Sequence, residues 1–249
     1  MSTNHRETLC ILHGWGLNGR VLGKFMEGFV PDWHVRFLVL PGYDGTAPAA
    51  LGMEKIARSL APQIPDHSVL MGWSLGGMIG IRIASMKPLR KLILLASTPC
   101  FVEKQDWPYG MKAEVIAGLM RQVKENSGKA LHKFALLSSR GDEHPRATYR
   151  TLAMLLKQAA VHTDALLDGL EILQASDLRK EFSGLQCPAG AVLAENDALV
   201  SAAGTGAMRS LCPGLELRLV AGCGHAPFLS RPERIRHLLF TLLSPAPVT

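Results

Sequence analysis

Five residues, Gly72-Trp73-Ser74-Leu75-Gly76, separate the apolar run Ser68-Val69-Leu70-Met71 from a second apolar stretch, Met78-Ile79-Gly80-Ile81-Arg82-Ile83-Ala84. A serine therefore stands where a buried strand turns sharply into a helix. Such a turn holds its central residue in a strained backbone conformation, and the glycines two positions to either side supply the room that a Cβ would take. The strain lifts the hydroxyl clear of the sheet, and the helix that follows aims its first N–H groups at whatever the hydroxyl attacks. This pattern restricts the chain to folds in which strand and helix alternate.

The rest of the chain agrees with that restriction. Strands are expected at Thr8 to Leu12, Arg36 to Leu40, Ser68 to Trp73, Lys91 to Ala96, Ala189 to Ala194 and Glu216 to Val220. Helical segments separate them near Leu17 to Phe29, Met53 to Ile64, Leu75 to Met86, Val200 to Leu211 and Pro232 to Leu243. Alternation of this kind gives a mostly parallel sheet covered by helices on both faces. From Pro99 to Gly184 it stops, and Leu, Ala, Met and Lys recur at helical spacing. The division expected is a core of residues 1–98 and 185–249 with a helical insertion, 99–184. With 249 residues, 47% of them hydrophobic, the chain supports one large core rather than two.

The N-terminal Met1-Ser2-Thr3-Asn4-His5-Arg6-Glu7 lacks the apolar stretch of a signal peptide, and no run of 18 apolar residues is present, so the expectation is a cytoplasmic protein with no membrane span. Cys10, Cys100, Cys187, Cys212 and Cys223 have neither paired nor metal-ligand spacing and are expected as reduced, packed thiols. A formal charge of +6 invites nucleic acid, but no segment interleaves aromatics with a dense Lys/Arg stripe. An acidic protein partner fits better.

A nucleophilic serine needs a base, and the base an orienting acid. In this architecture they follow in the order Ser, Asp, His. Asp197 lies just past the strand Ala189 to Ala194, at the carboxyl edge where ligands of open parallel sheets bind. His225 follows the next strand in the small-residue loop Gly222-Cys223-Gly224-His225-Ala226-Pro227-Phe228. Asp197 also suits a helix cap near Val200, and Glu195 is a rival for the acid. After the first strand, His13-Gly14-Trp15-Gly16 can set the backbone N–H of Trp15 opposite that of Leu75 as two donors for an oxyanion. His13 reads as a brace for that loop rather than as a base.

These residues carry a resemblance. The chain resembles the α/β-hydrolases, and within them the pimeloyl-[acyl-carrier protein] methyl ester esterases of bacterial biotin synthesis. The similarity runs through Leu12-His13-Gly14-Trp15-Gly16-Leu17-Asn18, Leu40-Pro41-Gly42-Tyr43, Gly72 to Gly77, Ala96-Ser97-Thr98-Pro99-Cys100-Phe101, Gly169-Leu170-Glu171-Ile172-Leu173, Asp177-Leu178-Arg179 and His225-Ala226-Pro227-Phe228. It implies a sheet with a helical lid and a serine esterase with no metal or organic cofactor, acting on a methyl ester carried by acyl carrier protein; a monomer is expected. It also implies substrate contacts at Trp15, Ser74, Leu75, His225 and the lid segment Phe134-Ala135-Leu136-Leu137-Ser138. Relatives can carry a longer amide side chain at the position of Ser138, and they usually begin with a hairpin, so a shortened sheet edge is expected.

From Lys112 to Lys157 there are nine basic residues against four acidic. Lys129 and Lys133 are four apart, as are Arg146 and Arg150, so each pair shares a helix face. Such a face is ordinarily only solvated. The resemblance implies instead that these four cations dock the acidic carrier. Two other functions use the same residues: a generic small-molecule carboxylesterase or carbon–carbon bond hydrolase, which has no use for the cations, and a binding protein without catalysis.

Overall fold

The computed structural model describes residues 7–27, 29, 33–47 and 52–244. The readings of the N-terminus before Glu7 and of the tail after Ser244 lie outside the described residues. In chain order the elements are β1 (Thr8–Leu12), α1 (Gly19–Met26), β2 (His34–Leu38), α2 (Gly52–Leu60), β3 (Val69–Trp73), α3 (Leu75–Ala84) and β4 (Lys91–Leu95). Four helices follow: α4 (Ala113–Ser139), α5 (Pro145–Gln158), α6 (Thr163–Ala175) and α7 (Arg179–Ser183). The chain then returns to the sheet with β5 (Ala189–Ala194), α8 (Thr205–Leu211), β6 (Glu216–Val220), α9 (Pro227–Ser230) and α10 (Pro232–Leu243).

The six strands form one parallel sheet in the order β2-β1-β3-β4-β5-β6. β3 and β5 are buried along their whole length, as strands covered on both faces must be. From β1 the chain first moves outward to β2 and then crosses back to β3, so the direction of winding reverses between β1 and β3. Loops at the carboxyl ends of those two strands diverge to opposite faces and leave a crevice. Ser74 and the loop His13–Gly16 both lie at that crevice.

Several element boundaries differ from the sequence reading, and three of the shifts have a clear local reason. β2 runs from His34 to Leu38 rather than from Arg36 to Leu40. Its partner β1 ends at Leu12, opposite Leu38, and the Leu40 N–H donates to the His13 ring instead of to the ladder. The second helix stops at Leu60 and tightens into a 3₁₀ turn over Ala61–Gln63, because Pro62 has no N–H to continue it. The helix expected from Val200 begins at Thr205, after a 3₁₀ turn over Ala202–Gly204 capped by Ser201.

The long helix α4 is in fact two. Asn126 has extended backbone, and its side-chain oxygen accepts the Lys129 N–H at 2.9 Å, so it caps a second segment that carries Phe134 and Ser138. The ends of the four-helix stretch meet: the Leu178 N–H donates to Pro99 O, and Cys100 forms a β-bridge with Asp177. All five cysteines are free thiols. Among the described residues no helix is long and apolar enough to cross a membrane.

The tightest point of the fold is the β3–α3 turn. A Cβ on Gly72 would lie 2.3 Å from Gly76 O, and one on Gly76 would lie 2.5 Å from His13 O. Neither neighbour is a flexible side-chain end, so the backbone itself must move. Gly72→Ala is expected to cost about 3 kcal/mol or more, which lowers the thermal midpoint by roughly 6–12 °C. Gly206→Ala in α8, where a Cβ meets open space, should leave the midpoint unchanged or raise it. Thermal unfolding of both variants checks this, and equal midpoints would mean that the turn relaxes freely.

Candidate active site

Ser74 sits at φ 53° and ψ −119°, a left-handed conformation that a side chain resists. Neighbouring elements hold it there. Its N–H donates to Leu95 O at 3.0 Å. Its carbonyl accepts the Ser97 hydroxyl at 2.7 Å and the N–H groups of Gly77 and Met78 at 2.9 and 3.4 Å. The strain is thus offset by bonds from β4 and from the first turn of α3.

The imidazole of His225 lies between Ser74 and Asp197. Nε2 is 2.8 Å from Ser74 Oγ, and Nδ1 is 2.8 Å from Asp197 Oδ2. An ionised carboxylate only accepts, so Nδ1 carries the proton and Nε2 is left to accept from the serine hydroxyl. The second carboxylate oxygen of Asp197 accepts the N–H groups of Leu199 at 2.8 Å and Val200 at 3.0 Å. One oxygen thus holds the turn after β5, which leads into no helix at Val200, and the other meets the imidazole. Glu195 is exposed and outside this chain of contacts. Ser74, Asp197 and His225 are all buried, His225 completely.

The loop after β1 closes over the same point. Gly16 has φ +74°, and its N–H donates to the Tyr43 hydroxyl at 3.1 Å. Trp15 is fully buried, with its indole N–H given to Leu166 O at 2.8 Å. Trp15 and Leu75 both press on Gly169 of α6. Leu75 is the first residue of α3, where backbone N–H groups have no partner within the helix. His13 braces this loop: Nδ1–H donates to Gly14 O at 2.9 Å, and Nε2 accepts the Leu40 N–H at 3.2 Å. Complete burial pushes its pKa down to about 4 and keeps the ring neutral.

Helical geometry divides the stretch Phe134–Ser138. Phe134 packs edge-on against Trp15 at 5.0 Å and lies 6.3 Å from the His225 ring. Ala135 and Ser138 are buried on the same inward side, and Ser138 O accepts the His225 N–H at 3.0 Å. The Ser138 hydroxyl is buried with no hydrogen-bond partner among the described residues. Leu137 is half-buried, whereas Leu136 points outward and is 50% exposed. It lines a 460 Å³ cavity between α4 and α5 together with Lys133, Arg140, Arg146 and Tyr149. Lys129 and Lys133 line an adjoining hollow, and Arg150 is exposed one turn beyond Arg146. The Tyr149 hydroxyl crosses the seam to His132 Nδ1 at 2.7 Å.

Sequence reasoning passed over Ser97, Tyr43 and Trp73. The first two act from loops remote in sequence and carry no local signal. Trp73 was in plain view inside the pentapeptide, but nothing in a one-dimensional pattern says where an indole N–H points.

A family model described as "Alpha/beta hydrolase family" matches residues 11–238. A "Pimeloyl-[acyl-carrier protein] methyl ester esterase" from Xylella fastidiosa (strain M12) is 33% identical, across 96% of this chain and 98% of that relative. One of the same name from Pectobacterium atrosepticum is 35% identical, across 90% and 89%. Among solved structures, an esterase from Exiguobacterium antarcticum superposes with a TM-score of 0.84 at 20% identity, covering 95% of this chain and 91% of that one, a likeness of fold.

The buried His13 makes stability depend on pH. Burial holds its folded pKa at about 4, below the ordinary imidazole value of 6.5, so the unfolded chain takes up the proton first as pH falls. The contribution is intact above about pH 6.5, is lost on the way down to pH 4 and is level below that, for a total of about 3 kcal/mol. Urea unfolding of wild type and His13→Asn should therefore show a stability difference that shrinks across this window. A constant difference would mean that His13 is protonated in the fold.

Proposed function

We propose that this chain, which belongs to the alpha/beta hydrolase family and is a carboxylic ester hydrolase, cleaves the methyl ester of pimeloyl-[acyl-carrier protein]. The observation that carries the chemistry is the unbroken chain of contacts from Ser74 through His225 to Asp197. The substrate assignment draws support from relatives of that name matched along nearly the whole chain, and from cations beside the α4–α5 seam. The biological role would lie in biotin synthesis.

The reaction begins when Ser74 Oγ attacks the ester carbonyl while His225 Nε2 takes the hydroxyl proton. Asp197 holds the imidazole in the needed tautomer and offsets the charge that forms on it. The oxyanion of the tetrahedral intermediate accepts from the backbone N–H groups of Trp15 and Leu75. Its collapse breaks the bond to the methoxy oxygen, which leaves as methanol with the proton from His225. A water deprotonated by His225 then attacks the acyl-Ser74 ester, the acyl–Oγ bond breaks with Ser74 Oγ taking that proton back from His225, and the free carboxylate leaves, still thioester-linked to its carrier. Residues 99–184 act as the lid, with Trp15, Phe134, Ala135, Leu137 and Ser138 around the acyl chain and Leu136 on the outer face.

Lys129, Lys133, Arg146 and Arg150 receive the acidic carrier. Opposite charge at such a surface speeds encounter more than it tightens the final complex, and it fades as salt shortens the Debye length to about 10 Å at 0.1 M. A small-molecule esterase needs no such face, and its activity on free esters would be indifferent to the carrier.

Methanol release from pimeloyl-[acyl-carrier protein] methyl ester tests the assignment directly. Ser74→Ala should abolish it, and residual turnover above a few per cent with unchanged pH dependence would remove Ser74 from its role. Asp197→Asn should cost roughly 10⁴-fold in turnover, with Glu195→Gln close to wild type; the opposite order would move the acid to Glu195.

Reversing Lys129, Lys133, Arg146 and Arg150 to glutamate should lower kcat/KM for the carrier-bound ester and remove its salt dependence, while p-nitrophenyl acetate hydrolysis barely changes. Equal loss on both esters would mean a damaged lid, and loss on neither would favour the small-molecule esterase.

A further inference from the structure

Trp73 precedes the nucleophile by one residue and is completely buried, which by itself describes any core tryptophan. Its single polar atom is what sets it apart. The indole Nε1–H donates to the main-chain oxygen of His225 at 2.9 Å, across 152 residues of sequence. The same ring lies 5.6 Å from the imidazole and packs edge-on against Phe228 at 5.2 Å. On another side it meets the oxyanion loop so closely that a Cβ on Gly14 would stand 2.6 Å from it. One side chain thus touches the histidine loop and the oxyanion loop, while its own backbone leads into the elbow.

His225 needs such support. Its loop contains Gly222 and Gly224, residues that leave a backbone free to drift, yet the imidazole must meet Ser74 Oγ and Asp197 Oδ2 at once. Its main chain is fixed on both sides: the N–H by Ser138 O of α4 and the carbonyl by Trp73 of β3. We propose that Trp73 is a positioning residue for His225, acting through the Nε1–H bond to its carbonyl and through ring contact with the oxyanion loop. The inference rests on the triad reading above but not on the identity of the ester. Reactive groups held near their working geometry lose rate steeply when displaced by an ångström or less.

Trp73→Phe keeps an aromatic ring and removes the donor. With p-nitrophenyl acetate, kcat should fall about tenfold with KM within twofold, and Ser74 labelling by a fluorophosphonate should slow by the same factor. The low-field proton resonance of the His225 Nδ1–H shared with Asp197 should broaden or shift. If the variant does not fold, 3-benzothienylalanine introduced at position 73 replaces the N–H by sulfur at nearly constant shape, with the same outcomes expected. Wild-type kcat and labelling in a folded variant, or a change confined to KM or to the thermal midpoint, would overturn the inference and reduce Trp73 to packing. Ser74→Ala separates the two levels: an active Ser74→Ala protein removes the triad reading itself, whereas an inactive one beside a fully active Trp73→Phe removes only the role of Trp73.

Discussion

At the turn between β3 and α3 the backbone of Gly76 approaches the place where Gly72 would carry a Cβ to within 2.3 Å, and Ser74 between them is held at positive φ. Everything else at the site is arranged around that contact. It holds Ser74 at positive φ, starts a helix at Leu75, and brings Gly76 against the carbonyls of Leu12 and His13. The turn at Ser74 and the loop after β1 are therefore in backbone contact, and neither can move far without the other. The strain is local, and the bonds that offset it come from Leu95, Ser97 and α3.

The histidine and the acid reach this point from the far side of the sheet, and each is tied down by more than the bond to its neighbour. Asp197 gives one oxygen to two backbone N–H groups and the other to the imidazole, so the same carboxylate that shapes the loop also meets His225. His225 is pinned through its own backbone to a strand and to α4. Burial of all three side chains strengthens these bonds, because water does not compete for the partners. The α4–α5 turn reaches the same loops through Asn196 Nδ2 to Gly141 O at 3.2 Å and Glu143 N–H to Gly222 O at 3.1 Å. The four-helix segment is thus part of the frame that holds the loops of Asp197 and His225.

One helix serves two surfaces. On α4, Phe134 and Ser138 are four apart and meet Trp15 and His225, while Lys129 and Lys133 line the outer hollow with Leu136. The break at Asn126 lets this second segment take its own direction, capped by the side chain that ended the first. Substrate chemistry and partner recognition can be served on opposite faces of the same few turns, which is what the proposed function requires.

The sequence by itself determined the strand-turn-helix at Ser74, the alternation behind a parallel sheet, and the chain order of Ser74, Asp197 and His225. These follow from local facts: where a Cβ fits, which residues repeat with helical or strand period, and which loops end buried strands. Even the clustering of cations at Lys129, Lys133, Arg146 and Arg150 is legible, since residues four apart share a helix face. Only the tertiary structure decided that β2 ends at Leu38, where its partner β1 ends; that Asp197 meets both two backbone N–H groups and the His225 ring; that Leu136 faces outward; and that the Trp73 N–H reaches His225. Each of these depends on which group lies opposite another across the fold, and a hydrogen bond spanning 152 residues leaves no periodic trace in the chain.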